Sequence, residues 1–256
     1  SKLSGDEAGI VFTQLCNVLD PGVAVNYGSA SNKLRVLMQA PLQQLRADHE
    51  VAAALCRKAV ELRSCKELRE ARSVLWNHER LSVADLTTLG TLGSVLPALQ
   101  ELSLYEDKNT AGHEGVQRLA AGLGAGALPA LTLLHLVSMH VGDAGASALA
   151  AALGRGALPR LKVLSLYNAA IDDAGLVALA PALRRLPALG TISLMYNPFS
   201  DEGIAALVAP PPAGAPPPPT GVLTKLKLLY LGYAQITDAG CTTLAAALDS
   251  GALPAL

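Results

Sequence analysis

The chain contains no uninterrupted apolar run of the eighteen or more residues that a membrane-spanning helix needs, although 51% of its 256 residues are hydrophobic. It has no surplus of charge: 20 Lys and Arg stand against 21 Asp and Glu, a formal net charge of −1. Nucleic-acid binding requires a clustered basic excess, and this balance argues against it. Catalytic signatures are missing too. No GxSxG, Walker loop or GxGxxG ahead of a helix is present, and His113-Glu114 lacks the second histidine of a metalloprotease helix. His49, His78, His113, His135 and His140 have neither metal-ligand spacing nor cysteine neighbours. Cys16, Cys56, Cys65 and Cys241 form no CxxC pair, so free thiols in a reducing, intracellular compartment are expected. The absences together disfavour an enzyme, a metal, a cofactor and a small-molecule ligand.

What the chain has is repetition. Leu158–Gly175 reads LPRLKVLSLYNAAIDDAG, with apolar residues spaced for a short strand that then turns a corner. The pattern returns at Leu128–Gly145, Leu186–Gly203 and Leu223–Gly240, and at Leu96–Gly115 with two extra residues. The second strand leucine falls at Leu104, Leu136, Leu166, Leu194 and Leu231, in steps of 32, 30, 28 and 37. The long step contains the insertion Ala209–Gly221, whose seven prolines predict an extended or mobile surface segment. Counting 28 residues back from Leu104 reaches Trp76, with Val74 two residues before it. A fixed period in this range marks a solenoid, in which each unit buries its apolar face only by stacking on the next.

These residues resemble the leucine-rich repeats of the ribonuclease-inhibitor-like class, which pair one strand with one full helix per repeat. The resemblance covers about residues 73–256. It implies an α/β solenoid with a parallel sheet on the concave face and helices on the convex face, to which the helical patterning of residues 1–72 adds an all-α cap at the N-terminus. The domain map is then a helical region over 1–72, a degenerate leading repeat over 73–95, five repeats over 96–252 and the truncated start of a sixth at 253–256. That last fragment predicts a chain that stops short of the natural protein, as the start at Ser1 predicts a trimmed N-terminus. One departure stands out: the family's asparagine three residues after the second leucine is met only by Asn197, against Asp107, Met139, Ala169 and Ala234.

Charge is denser at the front, with 11 Lys and Arg and 10 Asp and Glu in residues 1–90 against 9 and 11 in residues 91–256. Helices are expected over Asp6–Leu19 and Val23–Gln39, and from Pro41 at a first helical position to Leu62 with Leu42, Leu45, Val51, Ala54, Leu55 and Val60 inward. A fourth begins at Ser64, with Glu67 completing a capping box. The stretch Ile10–Leu37 resembles an F-box in outline, with an apolar helix, Leu-Asp-Pro, a second helix, then Ser and Leu-Arg, but without the usual opening Leu-Pro. The other reading of these residues is a cap over the first coil.

Within the repeats, Asp143, Asp173, Asp201 and Asp238 stand in Asp-x-Gly settings where a carboxylate can cap the helix that follows. Gly122, Gly124, Gly126, Gly154 and Gly156 follow helices rather than open them, which suits helix ends and not a phosphate cradle.

Function therefore falls to the strand face. Alternate strand residues point away from the core, and five of the six tyrosines lie among them. Tyrosine offers contact area at low entropic cost and is enriched at binding hot spots. Tyr105, His135, Tyr167, Asn168, Tyr196, Tyr230 and Tyr233 form the candidate protein-binding set. The expected function is a non-catalytic protein-interaction scaffold, of the kind that serves as a peripheral subunit of a larger assembly. Two alternatives remain: a substrate receptor of a ubiquitin ligase, implied by the F-box resemblance, and an enzyme regulator such as a nuclease inhibitor or GTPase activator. An inhibitor of a basic nuclease would be strongly acidic, and this chain is not.

Overall fold

The computed structural model describes residues 5–59, 61–77, 81–105, 111–208 and 223–256. The described chain opens with α1 (Gly5–Leu15), α2 (Gly22–Ser29), α3 (Asn32–Leu37), α4 (Gln39–Cys56) and α5 (Cys65–Glu70). Strand and helix then alternate: β1 (Ser73–Asn77), α6 (Val83–Leu92), β2 (Glu101–Tyr105), α7 (Gly112–Gly122), β3 (Leu133–Val137), α8 (Gly142–Gly154), β4 (Val163–Ser165), α9 (Asp173–Leu183), β5 (Thr191–Ser193), α10 (Asp201–Val208), β6 (Leu228–Tyr230) and α11 (Asp238–Asp249). The strands form one parallel sheet in chain order, and α6 to α11 pack each on the next. This is an α/β solenoid of the leucine-rich-repeat type.

Register follows the period read from the leucines. Trp76 pairs with Leu104 and Leu104 with Leu136. His135, Ser165, Ser193 and Tyr230 align across β3 to β6, so Leu166, Leu194 and Leu231 follow one residue later on adjacent strands. Leu104, Leu136, Leu166 and Leu194 are fully buried. Leu231 is only half-buried, because β6 has a strand on one side alone among the described residues.

One apolar core joins Leu19, Leu55 and Leu68 to the strand leucines and runs on to Leu253. Trp76 Nε1 donates to Leu55 O at 3.3 Å, seating α4 on the first coil. A second, smaller cluster of Ala8, Phe12, Ala24, Met38 and Leu45 holds α1 to α4 together.

The front helices depart from the sequence reading in detail. The first ends at Leu15 rather than Leu19, where Asn17 Oδ1 accepts from Leu19 N and turns the chain. The span 23–39 is two helices, because Ser31 caps α3 through Leu34 N. Pro41 is the third residue of α4, still in the first turn where a missing N–H costs nothing. Val51 and Ile10 face solvent. Ser64 does cap α5, but the Glu67 carboxylate returns to Arg63 N rather than Ser64 N. The full capping box is at Ser82 and Asp85. Val60, Glu106, Asp107 and the insertion Ala209–Gly221 lie outside the described residues.

The aspartates do not cap their own helices. Asp143, Asp173 and Asp201 sit inside the first turn, and each carboxylate reaches the start of the next coil's helix. Asp143 Oδ1 accepts from Asp172 N at 3.0 Å and Gly175 N at 3.1 Å. Asp173 Oδ1 accepts from Ser200 N at 2.8 Å and Gly203 N at 2.7 Å, and Oδ2 from Ser200 Oγ at 2.7 Å. Asp201 takes Thr237 N and Thr237 Oγ1 in the same way. The residue before supplies the local cap: Asp172 accepts from Ala174 N and Thr237 from Ala239 N. The glycines make room for this. A Cβ on Gly175 would stand 2.5 Å from Asp143 Oδ1, and one on Gly203 would stand 2.8 Å from Asp173 Oδ1. In Asp-x-Gly, therefore, the aspartate serves the interface ahead and the glycine the interface behind. Asp238 is exposed, with no such side-chain partner among the described residues.

Asn197 does the same work beneath the strands. It is buried, its Oδ1 accepts from Ala169 N and Ile171 N, and its Nδ2 donates to Leu166 O and Leu194 O. One coil earlier the backbone suffices without an asparagine: Gly142 N donates to Ala169 O at 2.9 Å and Ser138 N to Tyr167 O at 2.9 Å. Met139 and Ala169 can then be apolar and buried.

Leu166→Ala is expected to lower stability by roughly 2–5 kcal/mol through cavity formation, read as a lowered thermal midpoint. The aspartates predict a pH dependence with opposite signs. Burial raises the Asp173 carboxyl, but hydrogen bonds from Ser200 Oγ, Ser200 N and Gly203 N outweigh it and hold it below its usual value. The ionised form is thus favoured by folding, so its stabilisation is present above the unfolded carboxyl range and disappears as pH falls through the lowered value. Burial and the neighbouring Asp172 raise Asp143 instead. Asp173→Asn should lower the urea midpoint at neutral pH and match the parent in strong acid. Asp143→Asn keeps an acceptor oxygen, removes the repulsion, and should leave the neutral-pH midpoint unchanged or higher.

Candidate functional site

Two outward rows cross the sheet. One holds Leu75, Ser103, His135, Ser165, Ser193 and Tyr230 in register, and the other places Tyr105 beside Val137. The strand ladder continues past the strands' last residues: Leu166 N donates to Ser193 O, Asn168 N to Met195 O and Tyr196 N to Gly232 O. Beyond the second leucine, each of the last four coils turns through a left-handed residue. Ser138, Asn168, Tyr196 and Tyr233 have φ of 55°, 50°, 59° and 60°.

Left-handed backbone suits glycine and asparagine and is strained for a bulky side chain, at about 1–3 kcal/mol per residue. Asn168 is the low-strain choice, and its Nδ2 donates to Ser138 Oγ at 3.1 Å. Tyr196 and Tyr233 are the high-strain choice, and both are used to build a stack. The Tyr196 and Tyr233 rings lie 4.1 Å apart between centroids and 12° from parallel. Tyr167 adds a tilted ring 4.9 Å from Tyr196. Tyr196 is 40% exposed and Tyr233 74%, so the stack stands in solvent with nothing covering it among the described residues. Tyr230, at 45%, and Leu228, at 49%, are exposed on β6, the strand that leads into the Tyr233 turn.

Tyr105 and His135 form a separate pair, with Tyr105 Oη 3.4 Å from His135 Nδ1. Burial lowers the His135 imidazole, and Glu101 pulls it partly back. Ser165, expected to face outward with this row, is buried. Its short side chain sits between the paired His135 and Ser193 of neighbouring strands and does not clear them. Three of the seven candidate residues, Tyr167, Tyr196 and Tyr233, thus meet as one aromatic body. Tyr230 and Asn168 border it, and Tyr105 and His135 stand apart on β2 and β3.

Apart from Glu101 and Asp249, the charges at strand and helix ends are sorted to the two rims of the sheet. Asp143, Asp172, Asp173, Asp201, Glu202 and Asp238 lie where strands end and helices begin. Arg155, Arg184, Arg160, Lys162, Lys225 and Lys227 lie at the opposite rim, where helices end. The helix dipole favours this order. Arg155 Nη2 donates to Ala120 O and Leu123 O at the end of α7, and Arg184 Nη2 donates to Ala206 O and Leu207 O at the end of α10. Among the described residues, no three His, Cys, Asp or Glu side chains gather where a metal ion could sit. No helix among them is long and apolar enough to cross a membrane.

Comparison with known proteins finds one family match over a short segment and distant similarities to solved structures. The leucine-rich repeat family matches over residues 222–245, which include β6 and the first part of α11. No curated protein matches the chain in sequence. Among solved structures, the yeast Rad7 and Elc1 complex is similar at 14% identity and a TM-score of 0.38, covering 70% of this chain and 52% of that one. An internalin from Listeria monocytogenes is similar at 15% identity and a TM-score of 0.29, covering 77% of this chain and 59% of that one. The chain therefore spans about half the length of the first and under two-thirds of the second.

The Tyr233 phenol stacked beside it, with burial and the Tyr167 phenol adding to its effect, pushes Tyr196 up to about 12. Ultraviolet difference titration should show a tyrosine that ionises well above the ordinary phenol range, and Tyr233→Asn should bring it back down.

Proposed function

We propose that the protein is a non-catalytic interaction scaffold whose partner, another protein, docks on the open strand face. Tyr167, Tyr196, Tyr230 and Tyr233 are the anchors, with Asn168 beside them and Tyr105 and His135 at the far end of the contact. The repeats over 73–256 supply the face, and the helices over 1–72 cover the apolar edge of the first coil. The observation that carries this reading is the exposed Tyr167–Tyr196–Tyr233 stack. Two of its members sit in a backbone conformation that asparagine would occupy at lower strain, so the turn alone does not account for tyrosine there. Stacked rings are also held in place before binding, which lowers the ordering cost of the complex.

Exposed apolar side chains on the front helices favour a second contact. Ile10, Val23, Val36 and Leu37 are at least two-fifths exposed, and a groove of about 600 Å³ runs between α1 and α4, lined by Phe12, Cys16, Met38 and Leu45. In that reading residues 1–72 hold a ligase adaptor, as the F-box resemblance implies, while the strand face holds the substrate. Binding of a purified cullin adaptor by the chain separates the two-contact protein from the simple scaffold.

The double substitution Tyr196→Asn/Tyr233→Asn tests the anchor. It relieves the left-handed strain, so the thermal midpoint should hold or rise while affinity capture loses the partners retained by the parent chain. Identical captured sets for parent and variant would remove the tyrosines from the site.

A further inference from the structure

Cys56 ends α4 and Cys65 opens α5, and their sulfurs meet at 3.9 Å. Both are buried, at 1% and 5% exposure, within the core that also contains Leu55, Leu68 and Trp76. No other described pair of cysteines is in contact, and neither thiol contributes to the strand face. We propose that Cys56 and Cys65 are a thiol–disulfide pair whose oxidation by a low-molecular-weight disulfide ties α4 to α5 where the front helices seat on the sheet.

The geometry is close to that of the product. Shortening the separation from 3.9 Å to a bond of about 2.05 Å asks each sulfur to move by about 1 Å. Eight residues separate the two cysteines, so the bond closes a short loop and fixes the end of one helix against the start of the next.

Exchange proceeds in two steps. Cys65, the more exposed, loses its proton to water, and its thiolate attacks one sulfur of the disulfide RSSR. The Cys65–S–SR bond forms, and RS⁻ leaves and takes up a proton. Cys56 then loses its proton, attacks Cys65 Sγ and expels the second RS⁻. Two thiols are oxidised to one disulfide, and RSSR is reduced to two RSH. The order agrees with the local electrostatics. Burial, reinforced by the neighbouring Cys65, pushes Cys56 up to about 12. Burial also raises Cys65, with the hydrogen bond from Cys56 and the charge of Arg57 pulling the other way. Neither thiol is reactive while the core is closed, so the first step waits on opening of α5, a helix of only six residues.

The chain carries its own reporter. Trp76 is the sole tryptophan, fully buried, and bonded to the carbonyl of Leu55, the residue before Cys56. The test uses the full chain with Cys16→Ser and Cys241→Ser, which removes the two cysteines outside the pair, incubated with oxidised glutathione. Intact mass should fall by two hydrogens, peptide mapping should place the bond at Cys56–Cys65, and Trp76 fluorescence should change in step. The thermal midpoint should rise by roughly 5–10 °C and return on reduction. Adding Cys56→Ser should halt the reaction at a glutathione adduct on Cys65. Mapping the same bond in the chain with all four cysteines needs no substitution and guards against a variant that folds poorly. Separate glutathione adducts on both cysteines, or no reaction until urea unfolds the whole chain, would overturn the proposal.

Discussion

No coil of this protein can satisfy its polar backbone or bury its leucines except through the coil beside it. Strands of three to five residues are too short to hold themselves, and a parallel pair needs a helical crossover to return the chain. Everything else follows from that dependence. The second leucine must recur in register, the helices must pack on their neighbours, and polar groups freed at each helix start must find partners across the seam. Asp143, Asp173 and Asp201 supply those partners, each one coil behind the N–H groups it accepts. Asn197 supplies them once more beneath the strands.

A ladder built from neighbour contacts leaves its strand face free of structural duty. Apart from the buried Ser165, the side chains of its central row neither fill the core nor cap a helix. Most of the face is small or half-buried: Ser103, Ser193 and Val137 are unremarkable occupants of a pleated surface. The last three coils are different. They concentrate aromatic rings on a neutral strip between an acidic rim and a basic rim, and those rings contact one another rather than the core. The seam thus fixes the positions of the turns, and the turns fix the stack.

Much of this was legible in the chain itself, because the leucine period carries both the strand register and the sheet order. Trp76 illustrates it: counting back one period from Leu104 finds a residue with no leucine signature that nonetheless pairs with Leu104. The Asp-x-Gly pattern marks the aspartates but points to the wrong helix. Capping propensities describe one helix at a time, whereas the partner of Asp173 lies 27 and 30 residues ahead. The strand alternation marks Tyr167, Tyr196 and Tyr233 as outward residues but not as one body. Tyr167 stands one residue after its leucine and the others two, and only the left-handed turn brings those unequal positions together. In the front helices a local polar contact overrides the apolar period, as at Ser31 and Asn17.

The central claim is that the unbound protein holds its tyrosines as a preformed stack on a surface the fold does not need. Nuclear magnetic resonance of the free chain with labelled tyrosine tests it directly. Ring-to-ring cross-peaks between Tyr196 and Tyr233, with ring-current-shifted resonances for both, are the predicted result. Tyrosine resonances at free-amino-acid positions, with no cross-peaks between the rings, would contradict it.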